Sequence, residues 1–346
     1  MSKNIIVTGG AGYIGSHTVV ELLAQGYNPI IVDNFCNSEK SVMDGLEEIT
    51  GKQVTLFEGD CTDKAFMSQV FSETNPIGVI HFAAYKAVGE SVEKPLAYYH
   101  NNVVSLLVLL EVMQEQNCKQ LVFSSSCTVY GTPQKLPVTE QSPTQKAISP
   151  YGNTKQIAED IIKDQVAANS GLSAVALRYF NPIGAHSTGL IGELPLDIPS
   201  NLVPFVTQTA AGLRNELTIF GNDYNTPDGT NIRDYIHVID LAKAHVKTLD
   251  YLTGKSNFYD FINVGTGKGT SVLEIVNTFE KVSNQKLNYT IGTRRPGDVE
   301  QIYASVDKLK KVLNWQTELT VEGALRDAWN WQLNLNRKDI KTQGIS

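Results

Sequence analysis

A short apolar run, Asn4-Ile5-Ile6-Val7-Thr8, feeds directly into Gly9-Gly10-Ala11-Gly12-Tyr13-Ile14-Gly15, and few patterns restrict a fold more than this one. A helix of apolar periodicity follows to about Gln25, where Gly26 supplies a stop signal. Asn28-Pro29-Ile30-Ile31-Val32-Asp33 is the next strand, and Asp33 closes it 18 residues beyond Gly15. The unit reads strand, glycine turn, helix, strand. Glycines in such a turn let the backbone amides at the helix start come close to a pyrophosphate. Asp33 can take both hydroxyls of an adenosine ribose, and its charge disfavours a 2′-phosphate. The unit predicts a dinucleotide site that takes NAD rather than NADP.

The alternation continues. Strands are expected at 53–58, 77–83, 119–124 and 172–179, with helices near 63–74, 95–116 and 150–169 between them. Strand and helix in strict turn predict an α/β fold, a Rossmann-type doubly wound parallel sheet with helices on both faces. Ligands in such sheets gather at the carboxyl ends of the strands, where Asp60-Cys61, Phe82-Ala83-Ala84 with Lys86, and Ser124-Ser125-Ser126 fall. After Arg178-Tyr179-Phe180-Asn181-Pro182 the elements shorten and proline and glycine become frequent, which places a domain boundary near 181. Residues 1–180, with a return segment at about 237–264, are then one domain, and residues 181–346 a smaller, irregular α/β substrate domain. Strand-like runs lie at 217–220, 232–236, 259–264 and 288–291, with helices near 239–252, 271–283 and 320–333. The last holds Trp329 and Trp331, read as packing residues.

Composition narrows the partners. At 42% hydrophobic and 19% charged the chain is globular rather than disordered, and its net charge of −7 argues against nucleic acid or an anionic membrane surface. The longest apolar stretch, Val103 to Leu110, contains Ser105 and is too short to span a bilayer. Met1-Ser2-Lys3 leads straight into the first strand, without the pattern of a signal peptide. Cys36, Cys61, Cys118 and Cys127 show no paired spacing, as expected of reduced thiols in a cytoplasmic protein. The six histidines show no ligand spacing, so no metal is expected.

The chemistry is carried by Ser149-Pro150-Tyr151-Gly152-Asn153-Thr154-Lys155. Ser149 can cap a helix whose first position suits Pro150. Tyr151 and Lys155, four apart, then share one helix face. A phenol titrates near ~10 in water, too high for a base at neutral pH; a fixed ammonium favours the phenolate and is expected to pull that value down.

With these residues the chain resembles the extended short-chain dehydrogenase/reductase superfamily and, within it, the epimerases that invert C4 of UDP-glucose and UDP-galactose. The resemblance covers nearly the whole length. It runs through Thr8 to Gly15, Asp33-Asn34, Lys86-Ala87-Val88-Gly89-Glu90-Ser91, Phe123 to Gly131, Tyr151 to Lys155 and Arg178 to Pro182. It extends through Phe220-Gly221-Asn222-Asp223-Tyr224, Arg233-Asp234-Tyr235-Ile236-His237 and Arg294-Arg295-Pro296-Gly297-Asp298. It implies a tightly held NAD, used and regenerated within each cycle of oxidation and re-reduction at C4. Tyr151 would take the proton from the sugar 4-hydroxyl. Lys155 would bond the nicotinamide ribose and depress the Tyr151 pKa, and Ser126 would bond the 4-oxygen. Dehydratase and decarboxylase relatives carry an acid just after the residue matching Ser126; here Cys127 and Thr128 follow, which favours epimerisation.

By the same resemblance the cofactor set comprises Gly9, Gly12, Tyr13, Ile14, Gly15, Asp33, Asn34, Asn37, Ser38, Asp60, Cys61, Phe82, Ala83, Ala84, Lys86, Asn101, Ser124 and Phe180, with Tyr151 and Lys155. The UDP-sugar set comprises Lys86, Ser126, Tyr151, Asn181, Asn201, Leu202, Thr218, Phe220, Arg233, Tyr235, Arg295, Asp298 and Ile302. Arg233 and Arg295 supply the cations that two phosphates require, Phe220 meets uracil and Asp298 the uridine ribose. Surface ion pairs with Asp234 and Asp298 are the competing reading of the arginines. Ile302 stands where relatives with a bulky aromatic exclude N-acetylated sugars and those with a small residue admit them. Epimerisation of another UDP-sugar, such as a UDP-N-acetylhexosamine, is therefore an alternative, and a non-catalytic NAD-responsive protein is a second. The helices near 95–116 and 150–169 are the pair that joins dimers in the resembling family; the first is apolar nearly all round at 103–112 and the second carries Ile157, Ile161 and Ile162. A homodimer is expected.

Overall fold

The apolar runs of the first half become strands of one parallel sheet. In chain order come β1 (Asn4–Thr8), α1 (Tyr13–Ala24), β2 (Asn28–Asp33), α2 (Ser41–Thr50), β3 (Thr55–Glu58), α3 (Lys64–Thr74), β4 (Gly78–His81), α4 (Val88–Glu93), α5 (Pro95–Glu115), β5 (Gln120–Ser124), α6 (Pro150–Ala167) and β6 (Ser173–Tyr179). The remainder supplies β7 (Asn181–Ile183), α7 (Leu202–Ala210), β8 (Leu217–Phe220), β9 (Ile232–Arg233), β10 (Tyr235–His237), α8 (Val238–Leu252), β11 (Phe258–Val264), β12 (Thr270–Ser271), α9 (Val272–Ser283), β13 (Tyr289–Gly292), β14 (Gln301–Ile302), α10 (Asp307–Leu313) and α11 (Val321–Thr342). The structure, a computed structural model, describes residues 3–295 and 298–342, with side chains as far as Arg337. Met1 and Ser2, and Pro296 and Gly297 of the Arg294–Asp298 run, lie outside the described residues.

Seven strands pair in the order β11-β6-β5-β4-β1-β2-β3, all parallel. From β1 the chain fills one side of the sheet and then crosses to β4 and fills the other. The order therefore reverses between β1 and β4 and opens a crevice at their carboxyl ends. Alternation along each strand sorts the core into two layers. Ile5, Val7 and Ile31 cluster with Leu22 of α1, Leu241 of α8 and Leu309 of α10. Ile6, Ile30 and Val32 cluster with Met67 of α3, Leu106 of α5 and Ile162 of α6 on the other face. A third cluster unites Val203, Leu217, Phe279 and Trp329, the last two rings edge to face at 5.6 Å. A fourth joins Cys127, Val129 and Tyr130 to Ile302 and Ala304, tying the loop after β5 to the C-terminal part.

The structure departs from the sequence reading in particular places. The run 232–236 is two strands: β9 pairs β12 and β14, whereas β10 pairs β7. Asp234 makes the break. Its fully buried carboxylate accepts from Thr266 N (2.8 Å) and Oγ1 (2.6 Å), Gly267 N (3.0 Å) and Ala304 N (3.1 Å), drawing two separate segments onto one residue. The expected helices do not include α2, α4, α7 or α10. Gly45 stands inside α2 because a Cβ there would come 2.7 Å from Leu190 O, and a glycine needed for close approach reads as a breaker. Pro204 lies in the first turn of α7, where an amide has no helical partner to lose. By length and composition α5 could cross a membrane, where the sequence reading expected no stretch long enough, and half of its most apolar window is buried in the protein.

Candidate active site

The glycine turn after β1 is built by close approach. Gly9 has φ +68°, and a Cβ on it would come 2.8 Å from Ala83 N; one on Gly15 would come 2.2 Å from Gly9 O. Starting at Gly12, α1 has no side-chain cap, so its first-turn amides remain available to an anion. Asp33 at the end of β2 fixes this turn: one oxygen accepts from Ala11 N at 3.0 Å, the other from Phe35 N at 2.9 Å and Ser38 Oγ at 3.1 Å. Asp60 likewise accepts from Asn34 Nδ2 at 3.1 Å and from Thr62.

These groups open onto a cleft of about 790 Å³ along the carboxyl ends of the strands. Of the expected cofactor set, Gly9, Gly12, Tyr13, Ile14, Gly15, Asp33, Asn34, Asn37, Ser38, Asp60, Cys61, Phe82, Ala83, Ala84, Lys86, Asn101, Ser124, Tyr151 and Lys155 all line it, joined by Asn201 of the substrate set. Phe180 does not; it packs in the cluster with Cys127 and Ile302.

Ser149 caps α6 by accepting from Gly152 N at 3.1 Å, and Pro150 takes the first helical position. Tyr151 and Lys155 are buried on one face. Lys155 Nζ donates to Ser124 O at 2.6 Å and lies 4.9 Å from the Phe123 ring centroid and 5.9 Å from that of Tyr151. The expected acidification of the phenol is reversed in the protein alone. Burial pushes the Tyr151 pKa well above its ordinary value, Tyr179 adds to this, and a hydrogen bond with Ser126 opposes it. Burial also draws the Lys155 ammonium down to about 7, against the pull of Glu159. Desolvation is the leading cause of both shifts. Ser126 Oγ also accepts from Thr128 N (3.2 Å) and Thr128 Oγ1 (3.0 Å).

A second group assembles from the C-terminal part. Asp298 stands 3.9 Å from Arg233 Nη2 and 3.8 Å from Arg295 Nε, and the Arg295 guanidinium lies 4.2 Å over the Phe220 ring. Tyr235 is close enough to feel Arg233, Asp298 and Arg295, though burial dominates and pushes its phenol up to about 12. Ile302 pairs with Arg233 across β14 and β9 and is buried. Asn181 pairs with Tyr235. Leu202 opens α7 just after Asn201, and Thr218 lies two residues before Phe220 on β8. Asp234 is spent on Thr266, Gly267 and Ala304, which leaves Asp298 as the acid that meets Arg233. Arg233 acts on the Cys127 thiol beside Ser126, so the two groups of residues adjoin.

Comparison with known proteins decides the lineage. A sequence profile for the family described as GDP-mannose 4,6 dehydratase matches residues 6–328. UDP-glucose 4-epimerase 2 of Arabidopsis thaliana is 50% identical over 337 residues, 96% of each chain. UDP-glucose 4-epimerase of Bacillus subtilis is 49% identical over 328 residues, 95% of this chain and 96% of that one. The crystal structure of the Bifidobacterium longum UDP-glucose 4-epimerase, in complex with NAD+ and UDP, aligns at TM-score 0.93 and 49% identity over 96% of this chain and 98% of that one. The chain belongs to the UDP-glucose 4-epimerase family.

Two features of this epimerase-family cleft escape a sequence reading. Tyr179, the last residue of β6, lines the cleft with its hydroxyl 2.7 Å from Ser124 Oγ. Its place at a strand's carboxyl end was the available signal. The loop from Gly192 to Ser200 forms part of the wall, and Glu193 meets Lys86, 107 positions away, for which no local pattern exists.

Proposed function

We propose that this protein interconverts UDP-galactose and UDP-glucose by oxidation and re-reduction at sugar C4, with Tyr151, Lys155 and Ser126 as its catalytic residues. The observation that carries the reading is that these three residues stand at the carboxyl end of β5, with Tyr151 and Lys155 in the same cleft as the glycine turn and Asp33. The residues present fit NAD: the Gly9 and Gly15 cradle admits no Cβ, the start of α1 offers amides to a pyrophosphate, and Asp33 suits a ribose diol. Bound there, NAD would supply the hydride acceptor for C4 and, once the 4-keto sugar has turned over, the donor to its other face. Tyr151 as phenolate removes the 4-hydroxyl proton and returns it. Ser126 holds the 4-oxygen, and Lys155, with the positive ring of bound NAD beside it, would bring the phenol down from its raised value in the protein alone. Phe220, Arg233, Arg295 and Asp298 hold the uridine diphosphate, with Asn181, Asn201, Leu202, Thr218, Tyr235 and Ile302 around the sugar and nucleotide. Residues 1–180 with 237–264 serve as the cofactor domain and the rest of 181–346 as the substrate domain.

Elimination in place of epimerisation needs an acid beside Ser126. Cys127 and Thr128 follow it, and the buried Glu159 is occupied by Arg178 Nε at 2.9 Å and Ser125 Oγ at 2.5 Å. Pure protein given UDP-galactose without added cofactor is expected to yield UDP-glucose; failure to convert it even with NAD supplied would remove the reading. Ile302, buried and of intermediate size, leaves epimerisation of N-acetylated UDP-sugars as the alternative, decided by assaying UDP-N-acetylgalactosamine beside UDP-galactose.

The enzyme serves galactose metabolism in the cytoplasm as a homodimer. Exposed Val92, Leu96 and Leu107 on α4 and α5, beside half-buried Ile157 and Ile161 of α6, support pairing through these helices. A monomeric mass at micromolar concentration would dismiss the dimer.

A further inference from the structure

Two members of the expected UDP-sugar set, Lys86 and Asn201, converge on one acceptor. Glu193 Oε1 accepts from Asn201 Nδ2 at 2.6 Å and from Lys86 Nζ at 3.1 Å. The Glu193 side chain is 11% exposed. Its backbone is held in place: Glu193 O accepts from Trp331 Nε1 at 3.0 Å, and a Cβ on Gly192 would come 2.5 Å from the same indole. Release of the two donors therefore takes side-chain rotation, of Glu193 or of the more exposed Lys86. A diphosphate arriving there meets a cation already neutralised and, once it has displaced the carboxylate, a like charge nearby.

We propose that Glu193 is a built-in competitor of the anionic ligand, occupying Lys86 and Asn201 and weakening the hold on nucleotide diphosphates, substrate and product alike. The inference rests on the UDP-sugar reading above. A penalty that falls equally on ground and transition states raises KM and leaves kcat unchanged. It also keeps both UDP-sugars of a freely reversible reaction exchangeable.

The test is calorimetric titration of the NAD-loaded protein with UDP at low salt, beside steady-state kinetics. Glu193→Gln keeps the size and an acceptor oxygen but removes the charge; it is expected to bind UDP about fivefold more tightly, with KM for UDP-galactose reduced by a similar factor and kcat unaltered. Glu193→Asp keeps the charge and is expected to gain much less. Unchanged or weaker UDP binding in Glu193→Gln, or an equal gain in Glu193→Asp, overturns the proposal. Wild-type protein that binds UDP but converts no UDP-galactose would overturn the epimerase reading instead, and the UDP affinities of the variants would still decide the role of Glu193.

Discussion

Tyr151 and Lys155 show how far burial alters a spacing that looks self-explanatory. Four residues apart on α6, they meet as the helix requires, yet the phenol is pushed up and the ammonium down to about 7. Tyr151→Phe is expected to keep NAD and UDP binding while losing about 100-fold or more of the turnover; near-normal rates in single-turnover assays would assign the base elsewhere. Lys155 also has a stability signature. Its folded pKa is lowered from 10.5 to about 7, so between these values the unfolded chain binds more protons. The penalty from burying this ammonium is full below pH 7 and fades as the pH rises toward 10.5. Melting curves of cofactor-stripped protein should show Lys155→Met gaining most over wild type near pH 6 and much less near pH 9. A pH-independent difference would mean the lysine is not buried as a cation. The spacing of the pair was legible in the sequence; the signs of its pKa shifts were not, because they depend on solvent excluded by residues far along the chain.

At the scale of elements, α6 is secured at its start and across its length. Ser149 caps it, and Glu159, one turn beyond Lys155, pairs with Arg178 of β6 and accepts from Ser125 Oγ. This tie fixes α6 against the loop that carries Ser124 and Ser126. Arg178→Met leaves a buried carboxylate uncompensated and is expected to cost about 3–5 kcal/mol in urea denaturation, against about 1 kcal/mol for Ser149→Ala. Comparable losses from the two would mean the buried pair contributes little. The strands and long helices of the main sheet could be read from periodicity because each repeats a local rule over several residues. The two-residue strands β9, β12 and β14 and helices such as α2 could not. They depend on long-range contacts, such as Asp234 with the segments at Thr266 and Ala304 and Gly45 under Leu190.

Across the whole molecule, the cleft draws on the ends of six neighbouring strands, on α6 and on a loop near residue 195, so occupying it should brace distant parts together. Removing NAD is expected to lower the Tm, and restoring it at about 100 times its Kd to return roughly 2.7 kcal/mol. A Tm indifferent to NAD would mean that the folded chain does not bind it. What the sequence determined by itself was the glycine turn with its acid, the doubly wound order, and the Tyr151–Lys155 face. Each follows from backbone geometry and spacing within a few tens of residues. The tertiary structure alone decided that Glu193 holds Lys86 and Asn201, that Glu159 is engaged by Arg178, and that Tyr151 and Lys155 are desolvated. Long-range contact and the exclusion of water arise only once the chain has closed on itself.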